Sequence, residues 1–178
     1  MLSRSTILSA LRHLSDELGR RGVLGEINVV DGTAMVLAFN ARNSTKDVNA
    51  IFEPSSDVRM AAGAVAAVLS LSDDWLNDAA KGFLASEGDF TPIDTLDLPH
   101  LRVQAPTAEY MLAMKVMAAR TGIGGLRGDA EDIAFLIRRL GLTSADAVMA
   151  IASRYYDPSR ILPRSLYLVD EIIEELGT

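Results

Sequence analysis

INVVDGTAMVLAFNARNSTKDVNAIF, residues 27–52, is the stretch whose reading decides the fold. Residues 27–30 form a short, largely β-branched run that predicts a strand, and Asp31-Gly32-Thr33 predicts a turn. The apolar residues 34–39 suit a buried helix, and after a polar connector at 40–46 a second strand is expected over 47–52. Gly32 would let backbone approach a ligand closely. Thr33 is the expected N-cap of a helix whose free N–H groups and positive dipole end favour an anion. On the second strand the two-residue period puts Asp47 and Asn49 on one face and Val48 and Ala50 on the other. A phosphate-binding turn beside two oxygen-bearing side chains is one way to hold a metal–nucleotide complex. Spacing alone also allows Asp-x-Asn after Ser44-Thr45 to be turn chemistry. Both readings stand at this level.

Working outward, Ile7, Leu11, Leu14 and Leu18 fall at helical spacing and predict an amphipathic packing helix over 5–19, ended by Gly19 and Gly22. Downstream, Asp57 is the expected N-cap of a buried helix over 58–71. Ser72-Asp73-Asp74 is expected to cap a short helix over 75–80, with a strand or extended loop at 81–84 and Trp75 packed in the core or on a partner surface. Residues 85–100 are the least regular stretch, and 101–105 read as a further short strand. Helices are then expected over 107–120, 129–140, 144–155 and 164–176, with a glycine-bearing loop at 121–128 that lacks the Gly-Lys-[Ser/Thr] ending of a P-loop. The predicted class is α/β (α+β): a mixed sheet flanked by helices over 1–105, an all-helical part over 106–178, and a cleft between them.

At 178 residues, 49% hydrophobic and 23% charged, the composition is that of a chain able to bury a real core. No apolar run approaches the roughly 18 residues a membrane helix needs. The absence of cysteine excludes disulfides and thiolate zinc sites, and two histidines far apart do not suggest a histidine metal centre. A cytoplasmic protein is expected. The net charge of −7 argues against a duplex-DNA surface. It leaves room for a local basic pocket, for which Arg42, Lys46, Lys81, Lys115 and Arg120 are the candidates.

Lys115 lies in Tyr110-Met-Leu-Ala-Met-Lys115-Val-Met-Ala-Ala119, apolar on nearly every side. Either its ammonium snorkels to the surface, or it is buried and must meet an acid or a phosphate. Asp129 and Asp132 are three apart on one predicted helical face.

A Gly-[Ser/Thr] turn opening a helix, followed by Asp-x-Asp on the next strand, resembles the signature of the DNA polymerase β-like nucleotidyltransferases. The longer run DGTAMVLAFNARNSTKDVNAIFEP looks most like the small bacterial branch allied to AbiEii-type abortive-infection toxins. The resemblance extends through DDWLNDAAKGF and YMLAMKVMAAR to GDAEDIAFL. It implies a nucleoside triphosphate bound with Mg²⁺, with Asp47 and Asn49 toward the metal and Gly32, Thr33, Arg42, Lys46 and Lys115 toward the nucleotide. It also implies Asp47, Lys115 and Asp132 as the catalytic set, Lys115 binding phosphate and Asp132 orienting it or helping activate the acceptor hydroxyl. Transfer of a nucleoside monophosphate to an RNA end or a protein hydroxyl, in a toxin–antitoxin or phage-defence setting, is the implied activity. Two positions depart from the pattern: Asn49 stands where the second acid belongs, and Gln104 stands near the place of a third. Those departures define the alternative, a non-catalytic module of the same fold that acts through a protein partner.

Overall fold

The computed structural model describes residues 1–93, 96–119 and 126–177, the side chains of 126 and 127 excepted. Arg120, Asp94 and the loop positions 121–125 singled out above lie outside these residues. The class is mixed α/β, with seven α-helices, a five-stranded mixed sheet and a two-stranded sheet among the described residues. The chain divides into two compact units, one comprising residues 1–82 and 90–105 and the other residues 83–89 and 106–178.

Unit 1 begins with β1 (Leu2–Ser3) and α1 (Arg4–Arg20), then β2 (Gly25–Val29) and α2 (Asp31–Leu37). β3 (Ser44–Thr45), β4 (Val48–Glu53) and α3 (Ser55–Leu69) follow, and then β5 (Leu76–Asn77), β6 (Phe90–Pro92) and β7 (Leu101–Pro106). The large sheet runs in the order β5-β4-β2-β7-β6, and β1 pairs with β3. β2 and β4 are antiparallel with Ile27 opposite Phe52 and Val29 opposite Ala50, whereas β2 and β7 are parallel. Alternation on β4 is as the two-residue period predicts: Val48, Ala50 and Phe52 are buried, while Asn49 and Ile51 on the other face are half-buried.

The α1 stripe of Ile7, Leu11, Leu14 and Leu18 is fully buried, and α1 packs on α3. At about 1.5–3 kcal/mol for each fully buried large aliphatic side chain, that face alone is a main support of the unit. Ser3 caps α1 by accepting from the Thr6 N–H. Gly19 is required by packing, because a side chain there would run into the ring of His100, a residue whose backbone N–H donates to Ser15 Oγ.

Three expectations are corrected here. Asp57 is not an N-cap: α3 starts three residues earlier than expected with Pro54 in that place, and Asp57 sits in the first turn. Residues 75–80 are not a helix, since Leu76 and Asn77 pair in parallel with Val48 and Asn49, and the Val48 N–H donates to Trp75 O at 2.6 Å. The expected extended segment at 81–84 is instead part of a 3-10 turn, Ala79–Phe83. Trp75 is a core residue, 2% exposed, with its indole N–H donating to Ala62 O at 3.0 Å.

Unit 2 holds α4 (Ala108–Ala118), α5 (Leu126–Leu140), α6 (Ala145–Tyr155) and α7 (Pro163–Gly177), with α4 packed against the other three. Thr107 and Ser144 cap α4 and α6 through their hydroxyls. α4 is buried on every side from Tyr110 to Val116, which is why its sequence shows no amphipathic period. α5 starts three residues earlier than expected, so Gly128 is helical rather than looped.

Residues 83–89 join this unit rather than the first. Tyr156 Oη donates to Phe83 O, Tyr155 Oη donates to an Asp89 carboxylate oxygen, and the Thr107 N–H donates to Asp89 O. Burial is the main reason the Tyr110 and Tyr156 phenols are held above their ordinary value of 10.0.

Candidate functional site

In unit 1 the first helical turn after β2 is built differently from the expected anion-binding corner. α2 begins at Asp31, which takes a left-handed φ of 51°, and Val30 occupies the N-cap without a side-chain bond. Thr33 is therefore not the cap. Its fully buried hydroxyl donates to Asp47 O at 3.1 Å and accepts from the Asn49 N–H at 3.2 Å, tying α2 to the start of β4. Gly32 is needed for a close approach, but to this chain's own Thr45. A Cβ at Gly32 would lie 2.5 Å from Thr45 Oγ1, with Arg42 Nη1 next at 4.0 Å. At the other end of α2, Arg4 Nη1 donates to Val36 O and Leu37 O, placing a cation where the dipole is negative.

Thr33 thus fixes the backbone on either side of Val48, and with it the carboxylate of Asp47. Oδ1 of Asp47 accepts from Asn49 Nδ2 at 2.9 Å, and Oδ2 accepts from Asn77 Nδ2 at 3.0 Å. Asn77 sits directly beside Asn49 in the β4–β5 register. It is the residue that sequence reasoning missed. It was passed over because its segment was read as a helix, on which it would not share a sheet face with Asn49.

Lys46 is exposed, and its charge helps the Ser72 hydroxyl hold the Asp74 carboxyl below its ordinary range. Lys81 is also exposed, with Nζ 3.9 Å from Asp78. Asp78 is held low chiefly by the Arg59 guanidinium at 2.8 Å, a contact that ties α3 to the end of β5. On β7, Gln104 stands in register with Asn28 of β2, so the central strands offer two carboxamides and no carboxylate at that level.

In unit 2 the alternatives for Lys115 are decided. It does not snorkel: its side chain is 4% exposed, and Nζ lies 2.8 Å from Asp129 Oδ1 and 2.9 Å from Asp132 Oδ2. Asp132 is 2% exposed and Asp129 30%. Both acids come from one face of α5, as their spacing requires, and they bring two carboxylates to one ammonium on α4. A buried lysine is maintained in such surroundings because the acids replace the hydration it gives up.

Gly32, Thr33, Arg42, Asp47 and Asn49 gather in unit 1 with Thr45 and Asn77, and Lys115 and Asp132 gather in unit 2 with Asp129. Among the described residues, carboxylates that could serve as metal ligands include Asp31 in unit 1 and, separately, Asp129 and Asp132 in unit 2. Asp31 and Asp129 were not foreseen in that role. At Asp47 the donor set is a single carboxylate flanked by two carboxamide nitrogens. Such a set does not suit a two-metal centre.

No helix among the described residues is long and apolar enough to cross a membrane. No family model, curated protein or solved structure matches the chain.

Proposed function

We propose that the chain is a nucleotidyltransferase-like protein that binds a nucleoside triphosphate together with Mg²⁺. The observation that carries this reading is the local build of unit 1. One buried threonine ties the first turn of α2 to the backbone of Asp47 and Asn49, and Arg42 Nη1 stands 4.0 Å from where a Cβ on Gly32 would lie. Mg²⁺ bound there would neutralise the triphosphate and favour departure of pyrophosphate. In the transfer, an acceptor hydroxyl oxygen forms a bond to the α-phosphorus as the bond to the bridging oxygen breaks, and the hydroxyl proton passes to a base. The Lys115–Asp132 pair enters the reading as the charged cluster of unit 2, with Asp132 as the candidate for orienting or deprotonating. An RNA end or a protein hydroxyl is the proposed acceptor, in a toxin–antitoxin or phage-defence setting within the cytoplasm.

A second reading, a regulatory module that has lost catalysis and acts through a protein partner, is favoured by Asn49, Asn77 and Gln104, carboxamides around a lone acid. Calorimetric titration with ATP, GTP, CTP and UTP, with and without Mg²⁺, separates the readings. Binding that requires Mg²⁺, weakens about tenfold in Asp47→Asn and is accompanied by pyrophosphate release supports the enzyme. Metal-dependent binding without release supports the module, and no binding of any triphosphate defeats the nucleotide reading.

A further inference from the structure

The geometry points to Asn77 as a positioning residue for Asp47, and we infer that Asn49 and Asn77 act as a carboxamide clamp on that carboxylate rather than as ligands to a cation. The inference deepens the nucleotide–metal reading and rests on it for its catalytic meaning. Its geometric part stands on unit 1 alone.

The orientation of Asn77 is dictated by its neighbours. Its Oδ1 accepts from the Ala79 N–H at 3.1 Å, a backbone group that can only donate. Its Nδ2 faces Asp74 O at 3.2 Å and Asp47 Oδ2 at 3.0 Å, two groups that accept. Reversing the amide would set oxygen against oxygen and N–H against N–H, so the nitrogen is committed to Asp47. Asn49 is constrained in the same sense, because an ionised carboxylate offers only acceptors and its Nδ2 lies 2.9 Å from Oδ1.

Each carboxylate oxygen of Asp47 is thus gripped by one N–H, Oδ1 by Asn49 two residues further along the chain and Oδ2 by Asn77 of β5, and β4 and β5 are locked by the Asn49–Asn77 register. A carboxylate held at both oxygens has one side-chain rotamer. It meets a cation or an N–H donor of a substrate without first losing rotational freedom. The arrangement also explains how a single acid could serve where two would ordinarily repel each other. The amides take the flanking positions, add no charge, and leave the outward lone pairs of Asp47 for a ligand.

The test reads Asp47 directly, in the apoprotein. The three-bond couplings from Asp47 Cγ to its backbone N and C′ report the χ1 rotamer. In the unmodified chain they should take single-rotamer values. In Asn77→Ala they should move to averaged values while the amide shifts of α1 and β2 stay in place, and the Mn²⁺ concentration that half-broadens Asp47 should rise roughly tenfold.

Asn77→Asp keeps the shape, removes the donor and serves if the alanine variant unfolds. It should also release Asp47 in chelator, and added Mg²⁺, which is diamagnetic and leaves the couplings readable, should restore one rotamer. Couplings that remain single-rotamer in a folded Asn77 variant overturn the inference. Failure of the triphosphate to bind, with the couplings behaving as expected, overturns only the nucleotide reading.

Discussion

Replacing Lys115 by methionine keeps the length and apolar body of the side chain and removes only its charge. The structure makes the cost large. Lys115 is 4% and Asp132 2% exposed, and the two lie 2.9 Å apart, so the lysine's charge is balanced where water has almost no access. Removing one partner of such a pair costs about 3–5 kcal/mol, against about 0.2–1 kcal/mol for an exposed pair. Asp129, at 30% exposure, is partly solvated and adds only a modest share. For a chain of this length a loss of that size lowers the midpoint of thermal unfolding by roughly 6–20 °C.

Urea unfolding followed by far-UV circular dichroism measures it. Lys115→Met should lose stability in both low and high salt, because ions screen buried pairs poorly. Made in an Asp132→Asn background, the same change should cost at least about 1.5 kcal/mol less, since the amide needs no counter-charge. A loss below about 1 kcal/mol, or an equal loss in both backgrounds, would refute the claim that this ion pair is what makes the buried lysine tolerable.

Thr33→Val keeps the shape of a buried side chain but leaves the Asn49 N–H without its acceptor, so about 1–3 kcal/mol of stability should be lost; a change within 0.5 kcal/mol, roughly the level of an inconsequential surface substitution, would mean the bridge between α2 and β4 is incidental. Asn49→Asp sets a second carboxylate against Asp47, so the variant should be less stable than the parent in chelator and bind Mg²⁺ more tightly by calorimetry; unchanged affinity would count against a metal near this corner. Stability should also fall at alkaline pH. Tyr156 and Tyr110 have folded-state values raised above 10.0, chiefly by burial, so their contribution is full below about pH 10 and is lost as pH rises toward the folded-state values. Tyr156→Phe should flatten that decline in a pH series of melting curves, and an unaltered slope would show that other groups cause it.

Much of the chain was legible because local sequence and global packing agree. The Ile7–Leu11–Leu14–Leu18 stripe, the helices beginning near Thr107 and Ser144, and the alternation along β4 are short-range patterns, and each is realised. For Lys115 the sequence left snorkelling and burial both open, and the packing around α4 decided for burial. Illegible were elements whose hydrogen bonds come from far along the chain. Trp75-Leu76-Asn77 carries helix-like flanks, yet its backbone is satisfied by β4, nearly thirty residues earlier. Thr33 belongs to the residue types that cap helices, and the same hydroxyl bridges a helix to a strand when one is near.

What the amino-acid order determined by itself is therefore the longer helices, the strands near 27–30, 47–52 and 101–105, and the inventory of charges: an acid, Asp47, with Asn49 two residues on, and a lysine set among apolar neighbours. What only the tertiary structure decided is which partner each took. Thr45 fills the space above Gly32, Asn77 closes on Asp47, and both aspartates of α5 turn to Lys115. The reason is physical. Periodicity and propensity act over a few residues, whereas a buried polar group is satisfied by whatever donor or acceptor the folded chain brings within 3 Å, at any separation in sequence.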